Sequence, residues 1–122
     1  MAGLARLKRR AEFLRIAEKG RRSAAPGLVL QALRRPAEAA EAEAAPRVGF
    51  TASRKVGIAV VRNRARRRLR AAVDRVMPLH AAAGHDYVLV ARAGTVSRPF
   101  AALLADLEGA LKRLGAWRDG ER

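Results

Sequence analysis

Arg62-Asn63-Arg64-Ala65-Arg66-Arg67-Arg68-Leu69-Arg70 places six arginines in nine positions, and the residues around them decide what those arginines can do. Wound at 3.6 residues per turn from Ile58, the segment aligns Ile58, Val61, Ala65, Leu69, Ala72, Val73 and Val76 within roughly 60° of one line, the stripe of a helix packed on a core. Asn63, Arg66, Arg67 and Arg70 gather on one exposed flank with Arg62 at its border, and Arg64 and Arg68 occupy the other. A guanidinium presents a planar fork of donors that matches phosphate geometry, so this comb suits a polyphosphate. A helix that only kept the chain dissolved would interleave both signs. Here no acidic residue stands between Arg47 and Asp74, so the comb has no compensating neighbour in sequence. Asn63 is a poor interior helix former, and capping does not explain it, because Gly57 and Ile58 already mark the helix start. The spacing predicts a helix over residues 58–77, stopped by Pro78 and built to hold nucleic acid.

Working outward, Arg47-Val48-Gly49-Phe50-Thr51-Ala52-Ser53 alternates as a strand and runs through Arg54-Lys55-Val56-Gly57 into that helix. Beyond it, Asp86-Tyr87-Val88-Leu89-Val90-Ala91-Arg92 has the continuous apolar run of a buried strand. Ser97 is the expected cap of a last helix with Phe100, Leu103, Leu104, Leu107 and Leu111 on its inner side. Upstream, a basic arm over residues 1–9 leads into a helix at residues 10–19, with Phe13 and Ile16 apolar and Gly20 as its C-cap. After a turn at Pro26-Gly27, Leu28-Val29-Leu30-Gln31-Ala32-Leu33 reads as a strand. Residues 36–46 form an acidic low-complexity loop between prolines, and residues 114–122 a flexible tail carrying Trp117. The order α-β-β-α-β-α implies an α+β sandwich with helices against one small sheet.

The 122 residues suit one domain with a single modest core. Net charge is +15, concentrated in residues 6–22, residues 47–70 and the segment after Lys112, which points to a nucleic-acid partner. The absence of cysteine excludes disulfides, zinc knuckles and thiol chemistry, and fits a cytoplasmic protein. No apolar run is long enough for a membrane helix. Glu12 and the scarcity of hydroxyls argue against a transit peptide, so the mature chain is expected to start at or near Met1. A protein nuclease needs clustered carboxylates for magnesium or a histidine pair for acid–base work. Asp74, Asp86 and Asp106 fall on different elements, Asp106 and Glu108 point to nearly opposite sides of one helix, and His80 and His85 read as structural or solvated loop residues. Glycine-rich phosphate loops are absent as well. The chain reads as a binding subunit.

The block Arg47-Val48-Gly49-Phe50-Thr51-Ala52-Ser53-Arg54-Lys55-Val56-Gly57, followed at fixed distance by Arg62-Asn63-Arg64, Arg66-Arg67 and Arg70, resembles the protein subunit of bacterial ribonuclease P. Leu7-Lys8 followed by Phe13, and Asp86-Tyr87 leading into Val88-Leu89-Val90-Ala91-Arg92, are similar to the same family, from about residue 6 to residue 113. The resemblance implies the order αβββαβα around a mostly antiparallel sheet of about four strands. By the same resemblance Arg21-Arg22-Ser23-Ala24 would supply a short first strand, and a left-handed crossover would join the strand–helix–strand unit at residues 47–92. It implies a monomer in a 1:1 ribonucleoprotein that binds the catalytic RNA and helps it remove the 5′ leader of precursor tRNA. Catalysis and Mg2+ would belong to the RNA, with no cofactor bound by the protein alone.

Carried over by position, Arg62, Asn63, Arg64, Arg66, Arg67 and Arg70, with Arg68 of the same comb, would contact the catalytic RNA. Phe13, Val29, Phe50, Ser53, Arg54 and Lys55 would line or border a leader cleft between the first helix and the sheet. Basic grooves with aromatic platforms hold single strands because every base has a stacking face; plain core membership is the other reading of Phe13 and Phe50. The chain departs from the family at Ala17 and Gln31, where aromatics are frequent, and at the acidic loop 37–45. A ribosomal-type or general RNA-binding protein is the alternative, ahead of a DNA-binding nucleoid protein. A membrane-active role is disfavoured because the basic helix needs its apolar face for the core.

Overall fold

Side chains alternate across a strand, so each strand of a sheet can feed two cores, one on either face. In a computed structural model of the chain, residues 4–36 and 45–119 are described, and they use this alternation throughout. The strands are β1 (Ala5–Arg6), β2 (Arg21–Ala25), β3 (Leu28–Arg34), β4 (Arg47–Thr51) and β5 (His85–Ala91), with helices α1 (Arg10–Lys19), α2 (Ala59–His80) and α3 (Phe100–Arg113). Sheet order is β1-β4-β5-β3-β2. Leu28, Leu30, Ala32, Val48, Tyr87, Leu89 and Ala91 face α2 and α3, where they join Ala65, Leu69, Ala72, Val73, Val76, Met77, Leu103, Leu107 and Leu111. On the opposite face Val88 meets Leu7 and Ile16, with Phe13, Leu33 and Val90 packed alongside.

The α+β class and the strand–helix–strand unit stand as expected, with β4 and β5 parallel neighbours joined through α2. The sheet has five strands rather than four: Ala5 and Arg6 pair in parallel with Arg47 and Val48, which draws part of the basic arm into the fold. It is mixed: β1–β4 and β4–β5 are parallel, and the longer β5–β3 and β3–β2 ladders keep most of its pairing antiparallel.

Three boundaries differ from expectation for local reasons. Pro78 does not stop α2 but lies in its last turn, where the loss of one N–H is tolerable; the Ala81 N–H still closes on the Met77 carbonyl at 3.0 Å. Ser97 does not cap α3. Pro99 excludes the helical conformation from the residue before it, Arg98, so the helix begins only after Pro99. Ile58, expected in the apolar stripe, is the extended cap residue of α2 and 72% exposed.

The segment after residue 114 packs against the fold through Arg118. Trp117 bridges to Ala81, stacks on His80 with centroids 4.0 Å apart, and carries Lys112 over its ring at 4.7 Å. The Ala82 N–H donates to Ala116 at 2.9 Å and the Arg118 N–H to His80 at 2.7 Å. Residues 37–44 of the acidic loop, 1–3 of the arm and 120–122 of the tail lie outside the described residues.

One polar cluster ties the sheet to α1. The Arg47 guanidinium grips Asp86 with two bonds, Nε to Oδ1 at 2.9 Å and Nη2 to Oδ2 at 2.8 Å, while its Nη1 reaches Glu12 at 3.1 Å. Arg35 Nη1 adds a third donor to Asp86 at 2.7 Å. Burial by itself would raise the Asp86 pKa, but the hydrogen bonds and charges of Arg47 and Arg35 outweigh it and hold the carboxyl below its ordinary range. A carboxylate held low stabilises the fold above its unfolded pKa, and that contribution disappears as pH falls through the lowered folded value. Asp86→Asn should therefore cost about 2–4 kcal/mol at neutral pH. Urea titrations across pH should show wild type losing this margin on acidification and the two proteins converging. Parallel curves at every pH would contradict the assignment.

Candidate nucleic-acid interface

Helix α2 is fixed along one side by Ala65, Leu69, Ala72, Val73, Val76 and Met77, which leaves its polar residues to be sorted by what holds them. Asn63, Arg64, Arg67 and Arg70 are exposed, and Arg62, Arg66 and Arg68 half-buried. Arg62 Nη1 donates to the Gly57 carbonyl at 3.2 Å. Arg66 Nη2 donates to Asn63 Oδ1 at 2.5 Å, which gives the asparagine a role: it holds a guanidinium upright on the exposed flank. Arg68 differs from the rest, because its Nε donates to the Thr95 carbonyl at 3.0 Å and its Nη2 to the Arg98 carbonyl. That guanidinium clamps α2 to the entrance of α3. Among the described residues the ion pairs are Arg35–Asp86, Arg47–Glu12, Arg47–Asp86 and Arg98–Asp106, so no arginine of α2 meets a carboxylate.

The residues expected to form a leader cleft divide between the two faces of the sheet. Phe13 lies on the α1 side directly over Gly49, where a Cβ would come within 2.5 Å of the ring. Glycine at 49 is what lets the ring lie against the strand. Val29 is buried in β3, and alternation puts it on this same face. Phe50 follows Gly49 and projects the other way, packing against the core under α2. The guanidinium carbons of Arg6 and Arg70 lie 5.1 and 5.7 Å from its ring centroid, within cation–π range. Because β1 ends at Arg6, the β4 edge beyond Val48 is uncovered. There Phe50 also borders a shallow cleft of about 290 Å³ lined by Lys8, Arg10, Phe13 and Thr51. Ser53 Oγ accepts from the Lys55 N–H at 3.3 Å and caps a short 3-10 turn, Arg54–Val56, leaving Arg54 and Lys55 exposed at the strand's end.

Lys8, Arg10 and Thr51 are cleft residues that the sequence reading passed over. The signal for Thr51 is the pleat, which aligns it with Gly49; Lys8 lies in the basic arm and the family resemblance and Arg10 opens the first helix, with nothing in the sequence to place either in a cleft. Asp86 and Asp106 are held by arginines, and the Nδ1 atoms of His80 and His85 are bonded to the carbonyls of Arg118 and Ala83. No three of His, Asp and Glu gather as metal ligands among the described residues, and no helix among them is long and apolar enough to cross a membrane.

Known proteins resemble the chain in sequence and in fold. The ribonuclease P protein component of Paramagnetospirillum magneticum is 58% identical over 116 residues, covering 94% of this chain and 86% of that protein. Its counterpart in Gluconacetobacter diazotrophicus is 53% identical over 113 residues, 90% of each. The Staphylococcus aureus RNase P protein superposes with a TM-score of 0.75 at 27% identity, over 95% of this chain and all of that one. The Thermotoga maritima RNase P protein shares the fold at a TM-score of 0.68 and 24% identity, over 89% and 94% of the two chains. With the Ribonuclease P family model matching residues 1–115 as well, the chain belongs to the bacterial ribonuclease P protein family.

Proposed function

We propose that this ribonuclease P subunit holds the catalytic RNA on α2 and the 5′ leader of precursor tRNA in the cleft beside α1, while the RNA performs the hydrolysis. The observation that carries this reading is the row of arginines at 62, 64, 66, 67 and 70, none paired with a carboxylate among the described residues. Membership of the family sets aside the ribosomal-type alternative. Arg62, Asn63, Arg64, Arg66, Arg67 and Arg70 supply the phosphate contacts; Arg68 acts by fixing the helix in place. Phe13, with Lys8, Arg10 and Thr51 around it, offers the leader a stacking face and charge, and Ser53, Arg54 and Lys55 extend the basic path. Phe50 borders that path from the other side of the strand. The subunit acts in the cytoplasm as one copy per RNA, with Mg2+ held by the RNA and no cofactor of its own.

Replacing Arg66 and Arg67 together with Ala should leave the melting temperature near wild type, since both lie off the buried stripe. Filter binding to the catalytic RNA across a salt series should show the slope of log K against log salt reduced by about two, one per lost phosphate contact. An unchanged slope would place the anchor elsewhere. Nuclease-free protein with Mg2+ and precursor tRNA should yield no 5′-matured product until the catalytic RNA is added; RNA-free cleavage would overturn the division of labour. Base stacking on an aromatic is worth about 1–3 kcal/mol, so Phe13→Ala, once shown to be folded, should weaken holoenzyme binding of leader-bearing tRNA by about tenfold. Mature tRNA, which has no leader, should bind as before. Equal losses for both RNAs would rule out a leader site at Phe13.

A further inference from the structure

On the far side of β4 from Phe13, a second pocket of about 180 Å³ is lined by Leu4, Arg6, Val48, Phe50, Arg70, Val73 and Asp74. It opens beside the arginine flank. Its chemistry differs from that of the flank in one respect: Asp74 is an acid in a basic wall. Among the described residues its carboxylate makes no ion pair and no hydrogen bond, although Arg70 stands one turn before it on the same helix. Arg70 and Arg6 instead lie over the Phe50 ring.

We propose that this pocket takes one unpaired guanine of the catalytic RNA, an inference that rests on α2 facing that RNA. Size comes first. A cavity of about 150 Å³ accommodates a benzene ring, so the pocket admits the six-membered ring of a base whose sugar and phosphate stay outside. The charge pattern decides what enters. A phosphate would be brought against the Asp74 carboxylate, whereas a base presents a neutral edge and a stacking face. Phe50 and the guanidinium planes of Arg6 and Arg70 supply the stacking surface, the usual means by which proteins hold splayed-out RNA bases. The Asp74 carboxylate has acceptors only. The Watson–Crick edge of guanine carries two adjacent donors, N1–H and the exocyclic amine, that match both carboxylate oxygens. Adenine places its N1 acceptor there and is repelled; uracil has one donor between two acceptors. The arginine forks remain free toward the flanking phosphates.

Inosine lacks the exocyclic amine of guanine and keeps N1–H, so it is the probe. Catalytic RNA carrying scattered inosine phosphorothioates would be bound by the protein, and the retained and unbound fractions cleaved with iodine. With wild-type protein, inosine should be depleted about fivefold from the bound fraction at one guanosine. Asp74→Ala should erase that depletion while leaving any others in place. Asp74→Asn keeps the shape but turns a donor toward the base, and should erase it too. Asp74 is exposed and has no partner among the described residues, so both variants should melt as wild type. An inosine pattern identical for wild type and both variants overturns the pocket. The two readings separate cleanly: an unchanged pattern with a reduced salt slope for the Arg66/Arg67 double variant removes the guanine site alone, and an unchanged slope removes the RNA-facing role of α2 and the pocket with it.

Discussion

The two-pronged grip of Arg47 on Asp86 fixes the parity of the molecule. The two residues are register partners at the start of the parallel β4–β5 pair, and their side chains meet with two bonds below 3 Å. A slip of one residue along a strand moves every side chain to the opposite face. With Arg47 held, Gly49 and Thr51 must face α1, and Val48 and Phe50 must face α2. The Phe13 ring can lie against the sheet only because parity brings a glycine beneath it. Glu12, reached by the remaining nitrogen of Arg47, brings α1 into the same arrangement. Desolvation of Asp86 offsets part of the attraction, and what remains both stabilises the fold and fixes its register.

The acidic residues of this basic chain are placed accordingly. Asp86 sets β4 against β5. Asp106 receives Arg98 through both oxygens and the Gly27 N–H at 2.9 Å, which ties the β2–β3 turn to α3. Thr95, fully buried, donates to the Gly27 carbonyl at 2.7 Å and accepts from the Arg92 N–H at 2.8 Å at the same corner. Arg68 then joins α2 to it. Within α2, like-charged pairs one turn apart such as Arg62–Arg66, Arg64–Arg68 and Arg66–Arg70 each cost about 0.2–0.5 kcal/mol. Each fully buried leucine beneath them contributes about 1.5–3 kcal/mol, and Leu69, Leu103, Leu107 and Leu111 are all at zero exposure. One such leucine outweighs the repulsion of all three pairs, so the comb survives on the strength of the stripe.

What the sequence disclosed follows from period and length. The stripe of α2, the Leu103-Leu107-Leu111 face of α3 and the apolar run of β5 repeat often enough to be read without a structure. A strand of two residues has no period, so Ala5 and Arg6 passed as an arm. Trp117 is one aromatic in a polar segment; only its stack on His80 and the bridge to Ala81 show that it closes the C-terminal end. The positions of Pro78 and Ser97 depended on local competition between proline geometry and helix continuation, where single residues mislead. Of the candidate site, the α2 arginines lie where the helical wheel puts them, apart from the diversion of Arg68 to carbonyls. The leader set was less legible, because Phe13 and Phe50 lie on opposite faces of β4 and meet only at its edge, where both border one cleft.

That separation has a consequence for how the two RNAs are held under the proposed function. Thr51, on one face of β4, borders the cleft that Phe13 lines, and Phe50, on the other, packs beside Arg6 and Arg70. Only the end of the short β1 lets the Phe50 ring border both. A leader on one side and the catalytic RNA on the other would therefore stand one strand apart, and the strand between them is the one fixed by Arg47 and Asp86. Placement of two polyanions at so short a distance ordinarily invites mutual repulsion. Basic residues border both sides, Lys8 and Arg10 at the cleft and Arg6 and Arg70 on the helix side, so under that proposal each strand would meet its own countercharge before it met the other. Under the proposed function, relative position would be set by the β4–β5 pairing that Arg47 and Asp86 fix, and leader and RNA would be brought into register by the fold itself.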